Sequence, residues 1–134
     1  VSVNYLLDTH VWIWWNMAPA NLSRKARSAI AQTESYEAML LSAISLWEFC
    51  KLIEKGRLGI SCDPEEWMAK ALQMPKLRLV PLSPTIARRS TGLPQPFHGD
   101  PADQMIVATA RVENATIITK DPLIRDYPHT RTVW

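Results

Sequence analysis

Short apolar runs alternate with longer amphipathic stretches along the whole chain. Val3 to Leu7 is a short apolar run closed by Asp8, and it reads as a buried strand. The apolar and aromatic "THVWIWWNM" that follows predicts a helix, broken at Pro19. From Ser23 to Gln32 the spacing is helical, with Leu22, Ala26, Ala29 and Ile30 on one face and Ser23 or Asn21 as the cap. "AMLLSA" predicts a second strand. Ser45 to Lys55 predicts a helix ended by Gly56; Leu46, Phe49, Cys50 and Ile53 share its apolar face, so a buried Cys50 thiol is expected. Asp63-Pro64-Glu65-Glu66 opens another helix, with a cap, a proline at the first position and acids in the first turn, running to about Met74. "LRLVPL" predicts a third strand and "SPTIARRSTGL" a short helix. After a loop carrying Pro94, Pro96 and Gly99 comes a helix over Ala102 to Val112, with Met105, Ile106, Ala108, Thr109 and Val112 turned inward. "ATIIT" predicts a fourth strand, Asp121-Pro122 the start of a short helix, and "TRTVW" a fifth strand.

Strands that alternate with helices predict a three-layer α/β domain with a central parallel sheet and right-handed crossovers. The 134 residues suffice for one domain with a sizeable core and are too few for two ordinary ones, so a single domain over 1–134 is expected. There is no internal repeat and no low-complexity tract. No apolar run approaches the roughly 20 residues that span a bilayer, and no leader pattern opens the chain, so neither a membrane anchor nor a signal peptide is expected. Cys50 and Cys62 form no CxxC pair, which fits a reducing, cytoplasmic setting. The net charge of +2 does not by itself imply a nucleic-acid partner. Its basic clusters, Arg24/Lys25/Arg27, Lys51/Lys55/Arg57 and Arg88/Arg89, read as solvated helix faces.

The acids change the picture. Asp8 follows the first strand, Glu48 lies in the first turn of the helix after the second, and Asp121 follows the fourth. Ligands of open α/β sheets bind beyond the carboxyl ends of the strands, and these positions belong to that edge. Asp103 joins them if the loop before its helix lies on the same side. Each acid alone has a bland explanation. Ser45 and Glu48 have the spacing of a capping box. Asp100, Asp103, Asp121 and Asp8 all stand where helix starts favour acids. Capping explains the four together less well. At about 4 Å and an effective dielectric near 20, each close carboxylate pair costs on the order of 4 kcal/mol. Such a cluster persists if some members are protonated or a cation sits among them, and an all-oxygen set suits a hard divalent ion, not zinc. Mg²⁺ or Mn²⁺ held by carboxylates and water is equipment for phosphodiester hydrolysis.

Four segments, "YLLDTHVWIWW", "LLSAISLWEFCKLIEKGRL", "HGDPADQMIVATA" and "TIITKDPLIRDYP", resemble the PIN-domain ribonucleases, and most closely the VapC-type toxins of type II toxin–antitoxin pairs. The resemblance covers essentially the whole chain. It implies a PIN-like fold with a sheet of about five strands. It implies a catalytic quartet of Asp8, Glu48, Asp103 and Asp121, with Asp8, Asp103 and Asp121 as metal ligands. Asp100 matches the subgroup form "DPxD" as an auxiliary acid, and Thr9 and Thr119 match hydroxyls that orient acids or substrate. The implied activity is Mg²⁺- or Mn²⁺-dependent endonucleolytic cleavage of RNA, tRNA or rRNA, by an activated water. The implied partners are the RNA, a cognate antitoxin and a second copy of the chain. Gln104 stands where the subgroup often has Arg, which removes a salt-bridge or phosphate contact.

Further residues carry weaker expectations. Trp12, Trp14 and Trp15 are too close together for all three to be buried; a mix of core and interface is expected, with base stacking as the alternative. His10 and His98 lie beside site acids and read as hydrogen-bonded structural residues. His129 reads as a surface loop residue, Lys51 as a partner of a nearby acid or of a phosphate, and Tyr127-Pro128 as a turn on the core. Two other functions fit the pattern: a PIN-fold binding module without catalysis, and a phosphatase-like α/β domain with Asp8 as nucleophile.

Overall fold

The structure, a computed structural model, describes residues 4–33 and 38–134. Its centre is a parallel sheet of five strands in the order β3-β2-β1-β4-β5. The strands are β1 (Tyr5–Leu7), β2 (Met39–Ser42), β3 (Leu77–Val80), β4 (Thr116–Ile118) and β5 (Thr132–Val133). Each matches an expected run, trimmed at the ends. Val3, expected to begin the first strand, lies outside the described residues. Among the described residues seven α-helices follow the strands: α1 (Thr9–Met17), α2 (Arg24–Ala31), α3 (Ile44–Glu54), α4 (Pro64–Ala71), α5 (Pro84–Ser90), α6 (Pro101–Glu113) and α7 (Pro122–Arg125). Pro19 breaks α1 as expected and starts a single 3-10 turn, Pro19–Asn21.

The pleat of the sheet divides the core into two layers. Leu6 pairs with Leu40 and Ile117, and all three face α5, α6 and α7, where Ile86, Ile106 and Ile124 meet them. One residue on, Leu7 pairs with Leu41 and Ile118 and faces the other layer, among Val11, Trp12, Ala26 and Phe49. β1 is covered on both sides, which is why its run is continuously apolar. Trp12 is fully buried against Phe49 and Trp67, while Trp14 and Trp15 are half-buried beside the same layer. Gly56 closes α3 at φ +71°, a left-handed turn that glycine adopts without a Cβ penalty. Tyr127 packs on the core and its hydroxyl donates to the Pro94 carbonyl.

Two expectations fail on α3. The helix begins at Ile44, with Ala43 as its N-cap, so Glu48 lies in the second turn and not the first. No capping box forms. Ser45 is buried within the helix and its hydroxyl meets Thr9 on α1, while Glu48 reaches the same threonine. Cys50 is exposed, as is Cys62. The inward side of α3 runs through Ser45, Phe49, Leu52 and Ile53, and this rotation leaves Trp47, Cys50 and Glu54 outside. The helix from Pro64 also stops at Ala71, short of Met74.

Candidate active site

The strand order reverses between β1 and β4, because the chain builds outward from β1 to β3 and then crosses back. Asp8 and Thr119 are the first residues past the carboxyl ends of those two strands. Asp8 is the N-cap of α1 and is buried; its Oδ1 accepts from the Thr9 amide at 2.8 Å. Its Oδ2 accepts from the Thr119 hydroxyl at 2.7 Å. Thr119, fully buried, also accepts from the Asp121 amide at 3.0 Å. One hydroxyl thus ties two of the acids together. Asp121 in turn caps α7 through the Leu123 amide.

Glu48 enters from α3, with Oε1 2.5 Å from the Thr9 hydroxyl that also meets Ser45. Asp103 enters from the first turn of α6, and its Oδ2 lies 2.7 Å from His98 Nε2. Asp100 caps α6 by accepting from the Asp103 amide, and stands more exposed. Asp8, Thr9, Glu48, Asp100, Asp103 and Asp121 all line one cavity of about 410 Å³. Thr119 lies behind its wall, bonded to Asp8.

Burial pushes the Glu48 carboxyl up to about 7, against the Thr9 hydrogen bond, with Asp8, Asp103 and Asp100 adding repulsion. Burial likewise pushes Asp103 up to about 6, against the hydrogen bond with His98, and Asp8, Asp100 and Asp121 push the same way. Both carboxyls are therefore easier to protonate than ordinary carboxylates. His10 is lowered by burial, although Asp8 and Asp121 act to raise it. Its Nε2 accepts from the Lys120 amide, which leaves Nδ1–H directed at Asp8 Oδ2, 3.5 Å away.

Some of this the sequence reading missed. Ser45 is a partner of Thr9, not a cap. Gln104 donates to the His98 carbonyl at 3.1 Å, which anchors the loop whose imidazole meets Asp103. Trp47, Lys51, Lys55 and Arg57 also line the acid cavity, and Lys55 and Arg57 are exposed, in keeping with a solvated face. The signal was present as a spacing of four from Trp47 to Lys51 to Lys55. Lys51 also pairs with Glu54 at 2.8 Å.

The PIN-domain family model matches residues 5–129. The chain belongs to the PIN-domain family. Among curated proteins it is 36% identical to Ribonuclease VapC22 of Mycobacterium tuberculosis over 131 residues, 96% of this chain and 97% of the relative, so this is a PIN domain of the VapC type. Its fold is shared by solved structures of lower identity. A toxin–antitoxin complex from Klebsiella pneumoniae aligns with TM-score 0.67 at 22% identity, covering 98% of this chain and 97% of that one. VapBC2 from Rickettsia felis, bound to a DNA fragment from its promoter, aligns with TM-score 0.67 at 17% identity over 98% of each chain. The five-stranded parallel sheet flanked by helices is the PIN-like architecture expected of the sequence. Among the described residues no helix is long and apolar enough to cross a membrane.

Proposed function

We propose that this PIN domain is a metal-dependent endoribonuclease, the toxin of a type II toxin–antitoxin pair, acting in the cytoplasm on tRNA or rRNA. The observation that carries the reading is the convergence of four acids, from four separate segments, on one cavity at the switch point of the sheet. The curated relative's name, Ribonuclease VapC22, and the toxin–antitoxin titles of the structural neighbours support it. The antitoxin partner rests on those neighbours, and the homodimer on the sequence resemblance. Residues 1–134 are taken as one PIN domain.

Among the described residues no three acid, histidine or cysteine side chains stand close enough to enclose an ion by themselves. The acids are nevertheless all oxygen donors, and two of them are held well above the usual carboxylate range by burial and mutual repulsion. That combination fits a hard ion bound by few carboxylates and several waters, as Mg²⁺ or Mn²⁺ accepts. Asp8, Asp103 and Asp121 would hold it. When bound, the ion supplies a more acidic water and offsets charge on the phosphate. The chain's own groups do the rest. Thr119 fixes Asp8, His98 fixes Asp103, and Thr9 fixes Glu48 at Oε1. Glu48, titrating near neutrality, can take a proton at Oε2.

The test is incubation of a total tRNA pool, and separately of rRNA, with purified antitoxin-free protein in Mg²⁺ or Mn²⁺ and in EDTA, beside Asp8→Asn. Discrete fragments that vanish with EDTA and with Asp8→Asn are expected. Fragments that survive either change would remove metal-dependent catalysis from this site. Absence of cleavage from folded, metal-loaded protein would favour a PIN-fold binding module.

A further inference from the structure

A second cavity, of about 450 Å³, lies at the other end of the sheet from the acids. The acids follow the carboxyl ends of β1 and β4. This cavity is at the amino ends of β4 and β5, where Ala115 and Arg131 immediately precede the strands. Three arginines from three segments line it: Arg89 in the last turn of α5, Arg111 in the last turn of α6, and Arg131. Among the described residues no carboxylate lines it. Glu113, close by on α6, pairs with Arg78 instead, at 3.6 Å. Two of the guanidiniums are tied down. Arg111 Nη1 donates to the His129 carbonyl. Arg131 donates from Nη2 to the carbonyl and the side-chain oxygen of Asn114, at 3.1 and 3.0 Å, and from Nε to the Thr116 hydroxyl at 3.4 Å. These bonds hold the segment before β5 to the end of α6, a structural task that accounts for two arginines and not for Arg89. Their acceptors are neutral, so neither cation is offset. Among the described residues the Arg89 guanidinium, Arg131 Nη1, and Nε and Nη2 of Arg111 meet no acceptor.

We infer that this cavity is an anion site for a condensed phosphate, a triphosphate chain either free or carried on a nucleotide. The site is separate from the acids and does not depend on the ribonuclease reading. Three always-charged guanidiniums converge on one opening, and their planar forks match phosphate oxygens in pairs. A single phosphate, at about −2, offsets only part of that charge. A condensed chain packs several charges into one compact ligand. An acidic peptide or a nucleic-acid backbone spreads its charges along a strand, whereas these arginines face one concavity from three sides. A tetrahedral phosphate also offers oxygens in three directions, where a carboxylate offers two in one plane. Arg111 and Arg131 are set in place before the ligand arrives, so less ordering is lost on binding. Arg89, without a bond to leave, closes on the ligand from α5.

Calorimetric titration tests this on the full chain, freed of metal and at about 0.15 M salt, where charges further apart than about 8 Å are screened. Tripolyphosphate is expected to saturate one site, with citrate binding more weakly. Arg89→Gln breaks no bond within the fold and should weaken tripolyphosphate about tenfold, as loss of a charged hydrogen bond does. Lys55→Gln removes the same charge beside the acid cavity and should change the affinity less than about twofold. Adenosine triphosphate separates the sources: affinity equal to or above that of tripolyphosphate assigns a nucleotide, and lower affinity assigns the free chain. Absence of saturable binding overturns the inference, as does binding that Arg89→Gln leaves unchanged or that Lys55→Gln weakens equally. Citrate binding as tight as tripolyphosphate would remove the phosphate assignment. Displacement of tripolyphosphate by a lower concentration of single-stranded RNA without a terminal phosphate would give the cavity to a phosphodiester backbone and overturn the inference too. Since no arm reads cleavage, each of these results leaves the ribonuclease reading where it stands.

Discussion

Thr119 is the residue on which two acids depend, and it has no charge of its own. It donates to Asp8 Oδ2 in a buried bond and accepts from the Asp121 amide in a partly buried one. Thr119→Val keeps the shape and leaves a buried carboxylate oxygen and an amide short of a partner. The expected loss is about 1–3 kcal/mol in urea unfolding, with unchanged m. Cleavage should fall about 10- to 100-fold, as for groups that orient metal-binding carboxylates, and Thr119→Ser should restore most of both. A variant with unaltered stability and cleavage would mean that Asp8 and Asp121 are positioned by their helix starts alone. The sequence carried this residue only through resemblance, because a threonine ending an apolar strand has no pattern of its own. His98 was legible as a neighbour of acids. Its bond to Asp103, and the anchoring of its loop by Gln104, needed the fold, since the loop before α6 has no periodicity to read.

At the scale of elements, the start of α6 separates capping from chemistry. Asp100 caps the helix through the Asp103 amide, while Asp103 is directed to the cavity and to His98. Asp100→Ala should cost about 1 kcal/mol of stability, as lost N-caps do, and reduce cleavage only modestly. Asp103→Asn should abolish cleavage and leave the melting temperature at pH 8 unchanged or higher, because a carboxyl pushed up to about 6 costs stability when ionised. The reverse assignment of effects would make Asp100 the working acid. The proline after a capping Asp made both this start and that of α7 readable from sequence. The start of α3 was misread for a related reason. Ser45 and Glu48 have capping spacing, but Ser45 is drawn to Thr9, a contact between helices 36 residues apart in the chain that no local pattern contains. The exposure of Cys50 has the same origin: an apolar face fixes which residues are candidates for burial, and packing against Trp12 and Trp67 fixes the rotation.

For the whole molecule, alternating runs were enough to predict a parallel three-layer sheet, but not the order of its strands. The order places β4 beside β1, and that adjacency, set by one crossover, gathers acids from opposite ends of the chain. Gathering them has a consequence for global stability. Glu48 rises from 4.5 to about 7 and Asp103 from 3.8 to about 6, so over that range the folded chain binds more protons than the unfolded one. Stability from these groups therefore falls as pH rises, until both are ionised in either state. His10 acts in the opposite sense: lowered from 6.5 by burial, it takes stability away as pH drops below that value. The two effects oppose each other on the acid side, and the net fall is expected above pH 6.5 and through about 7, where Glu48 alone is still titrating. Melting curves in EDTA should show that fall, and Glu48→Gln should flatten it. The proposed Mg²⁺ would bind the acids in their ionised form, so it should raise the melting temperature little near pH 5 and most near pH 8. A magnesium effect independent of pH, or stability in EDTA that climbs across neutrality, would mean that the acids are not held protonated by burial and one another. The proposed metal would then have no repulsion to relieve.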